Sequence, residues 1–235
     1  MKKILLTTLL MLNISFGANV FATFETKAQK SAKLAFSSSG IVKKIYVDVG
    51  SNVKKGQILA SLQNDDLLAL ANMARSQAKF ASLEYQRYSQ VKEYINKNQL
   101  DSYKLKRDNA ITQQRYSESM LNKTVLRAPF SGVITSKNIE EGDVVTSQGA
   151  ATNAFGIQSV GSMKLVIKFD ARYYGLVKAG QPFIFQIGGK GAKLKTTISK
   201  VYPSVDEKTQ MAVAEAKIDN LPSGLFGAGT IVTGK

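Results

Sequence analysis

The apolar and polar positions at the start of the chain follow the order of a secretory signal peptide. Two lysines precede an apolar run from Ile4 to Leu12, and small residues end the segment at Val20-Phe21-Ala22. An uncleaved membrane anchor would need about 18 apolar residues, and polar side chains between positions 13 and 19 interrupt this stretch. We therefore expect residues 1–22 to be a signal peptide that is removed by cleavage after Ala22.

The next stretch, from Thr23 to Lys33, is polar and lacks apolar periodicity. This pattern predicts a flexible lead-in before folded structure begins near Leu34. Between Gly40 and Leu62, short runs of β-branched residues alternate with glycines, which is typical of short strands joined by tight turns. A first β segment is therefore predicted over residues 34–63.

The pattern then changes, because residues 64–123 contain neither Pro nor Gly and are dominated by strong helix formers. Asparagines between Ile95 and Asp101 interrupt the run and predict a turn, after which Asp101 caps a second helix. The segment is thus predicted to be a long α-helical hairpin with antiparallel helices. We expect it to project about 35 to 45 Å.

Residues of low polarity recur along both predicted helices at alternating steps of four and three, which is the heptad seam of a coiled coil. Such a stripe is narrow, so each helix buries one edge and leaves the rest in water. Arg107 and Gln114 fall on the seam of the second helix and weaken it. The other seam positions are Leu67, Ala71, Ala74, Ala78, Ala81, Tyr85 and Tyr88, followed by Leu100, Tyr103, Ala110, Ser117 and Leu121.

Beyond the helices the β pattern returns, and the segment from Gly132 to Gly142 repeats the one from Gly40 to Gly50. The glycine spacing is the same, and a valine follows three residues later in both copies. The repeat predicts that residues 34–63 and 124–160 close one sandwich although the helices separate them. The residues expected to share its core are Val42, Val53, Ile58, Val133, Ile134 and Val145.

The remainder of the chain, residues 161–235, carries a period-two alternation of apolar and polar residues that is typical of strands. The clearest alternating runs are Lys164–Phe169 and Phe183–Ile187, and further strands are expected at Thr196–Val201 and Ala212–Ile218. About six short strands with glycine turns predict a small β-barrel domain. The fold class is therefore mainly β with a long α-helical hairpin.

Composition argues against an enzyme. The chain has no His and no Cys, which removes the commonest general base and the commonest zinc ligands. The carboxylate pairs Asp65-Asp66 and Glu140-Glu141 are adjacent residues whose side chains point in different directions, unlike a glycosidase pair. We expect no catalytic, metal-binding or cofactor-binding residues.

The net charge of +15 could indicate nucleic-acid binding, but secretion argues against such a partner. A positive charge that is spread over the whole chain, without a basic run containing interleaved aromatics, is more typical of a solvated surface. We therefore expect no nucleic-acid partner.

The run from Leu126 to Ile134 resembles the signature of bacterial periplasmic adaptors, the membrane fusion proteins of the HlyD-like family. Ser131 stands where that family usually has Asp. The matching motif positions around the helices are Gly40, Gly50, Gly56, Ala128, Pro129, Phe130, Gly132 and Gly142. In the last domain, the run Tyr202–Asp206 with Thr209, Asn220 and Leu221 is similar to the family's barrel motif, whereas Gly224–Gly229 lacks the proline and methionine common there.

This resemblance implies a split lipoyl (biotinyl-lipoyl-like) β-sandwich, an antiparallel coiled-coil hairpin and a β-barrel domain, with the membrane-proximal domain of larger relatives missing. It also implies a periplasmic adaptor that links an inner-membrane efflux transporter of the resistance-nodulation-division type to an outer-membrane channel and exports small molecules. The copies would form a ring and reach the membrane through their partners. The alternative is an adaptor of an ATP-driven exporter or a type I secretion system.

A biotinyl or lipoyl carrier domain is a remote alternative, because its modified lysine needs a tight turn where this chain has helices. The resemblance also places Arg87, Val91 and Asn96 near residues that contact the outer-membrane channel in drug-efflux adaptors, and Asp101 belongs to the same hairpin tip. An exposed helix arginine and a turn asparagine equally fit ordinary solvated positions.

Overall fold

The computed structural model describes residues 18–147, 153–187, 192–219 and 221–233. It divides into two compact units, one from Lys30 to Ser159 and the other from the chain on either side of that segment. Within the described residues, the elements in chain order are β1 (Ala18–Ala28), β2 (Ser31–Leu34), β3 (Gly40–Ile45), β4 (Asn52–Val53), β5 (Ile58–Leu62), α1 (Asp65–Gln90), α2 (Lys97–Asn122), β6 (Val125–Arg127), β7 (Gly132–Lys137), β8 (Val144–Val145), β9 (Phe155–Gln158), β10 (Ser162–Asp170), β11 (Pro182–Gln186), β12 (Lys193–Asp206), β13 (Met211–Asp219) and β14 (Phe226–Thr233).

The unit from Lys30 to Ser159 contains two four-stranded sheets, with the orders β2-β9-β7-β4 and β6-β5-β3-β8. Each sheet joins strands from both sides of the helices, because β4 pairs with β7, β3 with β8 and β5 with β6. The two halves of the internal repeat therefore fold together, as the sequence predicts.

The core of this unit contains four of the six predicted residues, Val42, Val53, Ile134 and Val145, all buried in one cluster. The other two, Ile58 and Val133, are half-buried and lie outside that cluster, so their assignment to the core was wrong. Successive side chains of a strand point to opposite faces, and Leu59 and Ile134 take the inward positions next to them.

Hydrogen bonds between the halves follow the internal repeat. The amide N of Gly50 donates to the carbonyl O of Ile134 at 2.8 Å, and the amide N of Gly142 donates to the carbonyl O of Val42 at 2.9 Å. Val42 and Ile134 occupy equivalent places in the two copies, as do Gly50 and Gly142. Both glycines adopt left-handed backbone conformations, with φ of 85° and 94°, which only glycine adopts without strain.

The helices α1 and α2 contain 26 residues each, which corresponds to about 39 Å of helix. They pack antiparallel, since contacts join Arg75 to Glu118 near one end and Tyr88 to Tyr103 near the other. The prediction of two antiparallel helices is therefore confirmed. None of the helices within the described ranges is long and apolar enough to cross a membrane.

The second unit is a closed barrel with the strand order β1-β10-β13-β12-β11-β14. Its core is filled by Phe24, Phe169, Phe183 and Phe185, and by aliphatic residues such as Ile167. The predicted strands of the last domain are present as β10 to β13. The glycine turn that was predicted after Phe183–Ile187, at positions 188–191, lies outside the described residues.

The barrel also contains a strand where the sequence predicted a flexible lead-in, and that prediction was wrong. Strand β1 pairs with β10 on one side and β14 on the other, so Ala18–Ala28 is already folded structure, well before Leu34. The alternation is present in the sequence, but Ala22, Thr26 and Ala28 on the inward face are small or polar, and a hydrophobic pattern does not reveal them.

Candidate functional site

The two helices meet through small side chains, which allow a close approach. Ala71, Ala74, Ala78 and Ala81 are the buried residues of α1, and Ser117 is the buried residue of α2 among the described side chains. These five belong to the predicted heptad seam. The remaining seam positions are half-buried, so the seam is the face by which each helix contacts its partner.

The two polar residues on the seam of α2 have specific partners. The guanidinium carbon of Arg107 lies 4.2 Å from the ring centroid of Tyr85, in a cation–π contact between the helices. The side-chain amide of Gln114 donates to Glu118 Oε1 at 3.1 Å, and Nε of Arg75 on α1 donates to the same oxygen at 2.7 Å. Polar residues therefore fix the pairing of the helices along this seam.

Neighbouring charges and hydrogen bonds change the pKa of Glu118. The hydrogen bond from Gln114, followed by the one from Arg75, lowers the pKa of Glu118 below the ordinary value for glutamate. Near the other end of the hairpin, Lys106 Nζ donates to Glu84 Oε2 at 2.7 Å, again between the two helices. Both pairs are accessible to solvent, so they contribute more to the register of the helices than to stability.

A pair of tyrosines closes the seam at the tip. The rings of Tyr88 and Tyr103 stack with their centroids 4.0 Å apart and their planes 9° from parallel. A side-chain hydrogen bond with Tyr88 raises the pKa of Tyr103. The stacked pair therefore joins α1 and α2 next to the tip.

The turn itself is short and begins α2 earlier than the sequence predicted. After α1 ends at Gln90, a 3₁₀ turn spans Lys92–Tyr94, and Asn96 then caps α2. The Oδ1 atom of Asn96 accepts a hydrogen bond from the backbone N of Asn98 at 2.9 Å. The assignment of Asp101 as the cap was wrong, because Asn96 has an extended backbone and the helix already includes Asp101.

The structure brings three of the predicted contact residues to the outer end of the hairpin. Arg87, Val91 and Asn96 are all exposed there, with 45% of the Val91 surface accessible. Asp101 is exposed too, but it lies a turn further along α2. The tip, defined here as residues 87–96, therefore carries the predicted group without Asp101.

The most exposed aromatic residue of the tip is not among the predicted contact residues. Tyr94 lies at the end of the 3₁₀ turn and is 90% exposed, which is unusual for a tyrosine in a monomer without a partner. Aromatic residues with a polar end are common in protein interfaces. The sequence feature that could have indicated Tyr94 is an aromatic residue within a turn rich in Asn and Lys.

The glycines of the family motif have structural roles in the sandwich. A Cβ on Gly132 would lie 2.1 Å from the carbonyl O of Gln158, so only glycine fits there. Gly40 packs against Leu62, and Gly56, with a φ of 84°, forms a turn. These positions therefore have roles in building the fold.

The remaining motif residues join the two halves of the repeat. The backbone N of Gly56 donates to the carbonyl O of Ala128 at 2.8 Å, and Phe130 packs against the core next to the exposed Pro129. Ser131 stands where the family usually has Asp, and its Oγ accepts a hydrogen bond from the backbone N of Lys55 at 3.0 Å. The hydroxyl thus supplies an acceptor at this position.

Among the described residues, no group of three or more His, Cys, Asp or Glu side chains is placed to hold a metal ion. Within the described residues, the hairpin tip is the candidate site because it combines exposed side chains with polar chemistry. Exposed aromatic and polar side chains of this kind suit contact with another protein.

Comparison with known proteins agrees with this architecture. The family model of the CzcB-like barrel-sandwich hybrid domain matches residues 30–157, which is nearly the whole unit that contains the sandwich and helices. The cobalt-zinc-cadmium resistance protein CzcB of Cupriavidus metallidurans is 28% identical over 225 residues, covering 87% of this chain and 42% of that protein. The chain therefore spans less than half the length of this curated relative.

Solved structures with low sequence identity share the fold. A MacA-MexA chimeric protein that contains the Pseudomonas aeruginosa MexA α-hairpin domain superposes with a TM-score of 0.83 at 21% identity, covering 93% of this chain and 82% of the other. The membrane fusion protein Spr0693 of Streptococcus pneumoniae R6 has a TM-score of 0.72 at 18% identity, covering 92% and 100%. Because the family model matches more than half of its residues, the chain belongs to the family of the CzcB-like barrel-sandwich hybrid domain.

Proposed function

We propose that this protein is a periplasmic adaptor that links an inner-membrane transporter of the resistance-nodulation-division type to an outer-membrane channel. The observation that carries the proposal is a helical hairpin with an exposed polar tip, in a chain that also forms a split sandwich and a closed barrel. Such an arm can reach one partner while the β units bind another. The adaptor performs no reaction and contacts the membrane through its partners.

In this proposal, the transporter determines which cargo is exported. Small molecules are one class of cargo, and the name of the CzcB relative makes cobalt, zinc and cadmium ions another class to test. Deleting the gene in the native bacterium and measuring resistance to the three metals and to a panel of organic toxins distinguishes these classes. Unchanged resistance to every compound would count against an efflux role.

We further infer that the hairpin is a coiled coil. The support is the agreement between the heptad positions and the faces that the helices bury, with Ala71, Ala74, Ala78 and Ala81 as knobs. The length of 26 residues in each helix allows between three and four heptads.

Several copies assemble into a ring in this proposal, so that many tips act together. A single tip offers a small surface, and one contact of that size binds weakly. A ring raises the effective concentration of the remaining tips once the first has bound, which makes the combined contact strong.

A carrier of biotin or lipoate is a poorer explanation. The modified lysine of such a domain needs a tight turn between the two β halves. Here β5 ends at Leu62 and β6 begins at Val125, and the two helices occupy the interval.

Site-specific cross-linking tests the docking of the tip. A photoreactive phenylalanine analogue at Tyr94, which is 90% exposed at the tip, is expected to cross-link to the outer-membrane channel in living cells. Tyr116 is the matched control, because this tyrosine is also exposed (61%) but lies near the opposite end of α2. The captured proteins are identified by mass spectrometry.

Cross-linking to the channel from position 94 and not from position 116 supports the proposal. Equal capture from both positions, or capture from neither, contradicts docking through the tip. If the cells' purified adaptor brings down an ATP-driven pump in place of a proton-driven one, the transporter class in the proposal is wrong.

A further inference from the structure

Strand β1 conflicts with removal of residues 1–22. Val20 is fully buried and Ala22 is 1% exposed, and both belong to the barrel core together with Phe24. Cleavage after Ala22 would remove these two residues from the mature protein. The core would lose two of the side chains that β1 contributes.

The same cut would open the barrel at the seam between its first and last strands. Strand β1 pairs with β14 from Ala18, opposite Thr233, to Glu25, opposite Phe226. Positions 18–22 supply five of these eight pairs. Their loss would leave the backbone of β14 without hydrogen-bonding partners over most of one edge, which is unfavourable for a strand in a barrel.

The sequence just before β1 offers another cleavage site. Signal peptidases select small residues at the first and third positions before the cut. Ser15-Phe16-Gly17 meets this requirement for a cut after Gly17, and it follows the apolar run that ends at Leu12 by a short polar stretch. A cut one residue later would place the large Phe16 at the third position.

We propose that the signal peptide is removed between Gly17 and Ala18, so that the mature protein begins with the first residue of β1. Water adds across this peptide bond as its C–N bond breaks, leaving a carboxylate on Gly17 and an amine on Ala18. The proposal rests on the secretion that the proposed function requires. The recognition element is the sequence of residues 15–17, and the barrel explains why the processed chain must retain residues 18–22.

The start of the mature chain tests the proposal directly. The protein is purified from the periplasm of its native bacterium, and its intact mass and N-terminal sequence are determined. The expected sequence is Ala-Asn-Val-Phe, beginning at Ala18. A start at Thr23, or at any other residue after the apolar run, overturns the proposed site but leaves the adaptor function intact. A product that retains Met1 overturns the site and the secretion together.

Substitutions next to the two candidate bonds provide a second test. In pulse-labelled cells, Gly17→Leu is expected to slow the conversion of precursor at least about tenfold, because leucine is too large for the position before the cut. Ala22→Leu, the matched change at the other site, should be processed at the wild-type rate. Since processing is measured within the pulse, a later folding defect does not affect the result. The reverse pattern contradicts the proposal.

The barrel itself supplies a third comparison. Two chains are produced in the cytoplasm, one beginning at Ala18 and the other at Thr23, each with an added Met. The longer chain should unfold cooperatively on heating, and the shorter chain should unfold at a lower temperature or aggregate. Equal midpoints would show that residues 18–22 are dispensable and would remove the structural basis of the proposal.

Discussion

At the scale of single residues, the barrel depends on two positions without side chains. A Cβ on Gly229 would lie 2.5 Å from the ring of Phe183 and 2.6 Å from the carbonyl O of Ile184, and one on Gly227 would lie 2.6 Å from the ring of Phe24. These aromatic rings contact one another, with Phe24 and Phe183 arranged edge to face at 6.0 Å between centroids. The glycines of β14 therefore make room for the aromatic core.

This arrangement predicts the effect of the smallest possible side chain. Gly229→Ala should lower the free energy of unfolding by about 1 to 3 kcal/mol, because both a ring and a backbone carbonyl block the added methyl group. Gly175→Ala is the matched control, since a Cβ there meets no described atom within 4 Å, and should change stability by less than about 0.5 kcal/mol. Denaturant unfolding measures both values. Equal losses in the two variants would contradict the steric explanation.

At the scale of the elements, the helices were predictable because their signal is local. The stretch without Pro or Gly sets their extent, and the repeated alanines from Ala71 to Ala81 mark the buried face within a few turns. The start of α2 was less predictable, since Asn96 and Asp101 are both good caps by residue type. The backbone of the short turn decided between them.

Strand β1 shows the opposite case, in which a local pattern is insufficient. Its inward face includes Ala22, Thr26 and Ala28, and these become recognisable as core residues once β10 and β14 lie beside them. Those partners are more than a hundred residues away in the sequence. The prediction of the tip was limited in a similar way, because exposed residues show no hydrophobic periodicity that could single out Tyr94.

The hairpin allows a charge-reversal test of its tip. If the protein assembles into the proposed ring, Arg87→Asp should reduce export to about a tenth or less of the wild-type rate, because a ring multiplies a weak defect in each contact. Arg115→Asp makes the same change on an exposed arginine of α2 away from the tip and should leave export unchanged. Export is measured in cells that lack the native gene.

Thermal unfolding of both purified variants separates a contact from a structural role. Midpoints close to that of the wild type are expected, because both side chains are exposed. If Arg87→Asp exports normally, the arginine does not contact the channel. If that variant unfolds at a much lower temperature, Arg87 stabilises the hairpin instead.

At the scale of the whole molecule, the barrel is assembled from both sides of the segment that forms the other unit. The fully buried Thr26 of β1 joins the distant parts of the sequence. Its hydroxyl donates to the carbonyl O of Pro222 at 2.7 Å and accepts from the backbone N of Leu225 at 2.8 Å. This pair of hydrogen bonds fixes the chain just before β14 to the first strand.

The pairing of β1 with β14 also sets an order of events during folding. The segment from Lys30 to Ser159 holds all the strands of its own sheets, whereas β1 must wait for β14, so closure of the barrel carries the larger loop entropy. In pulsed hydrogen exchange during refolding, the amide of Gly50, bonded to Ile134, should therefore become protected before the amides that join β1 to β14. Simultaneous protection would mean that the two units fold as one cooperative body. Earlier protection of the barrel seam would reverse the order. In the growing chain, the barrel can close only when β14 has been synthesised, so β1, the first of its strands to be made, is among the last to find its partners.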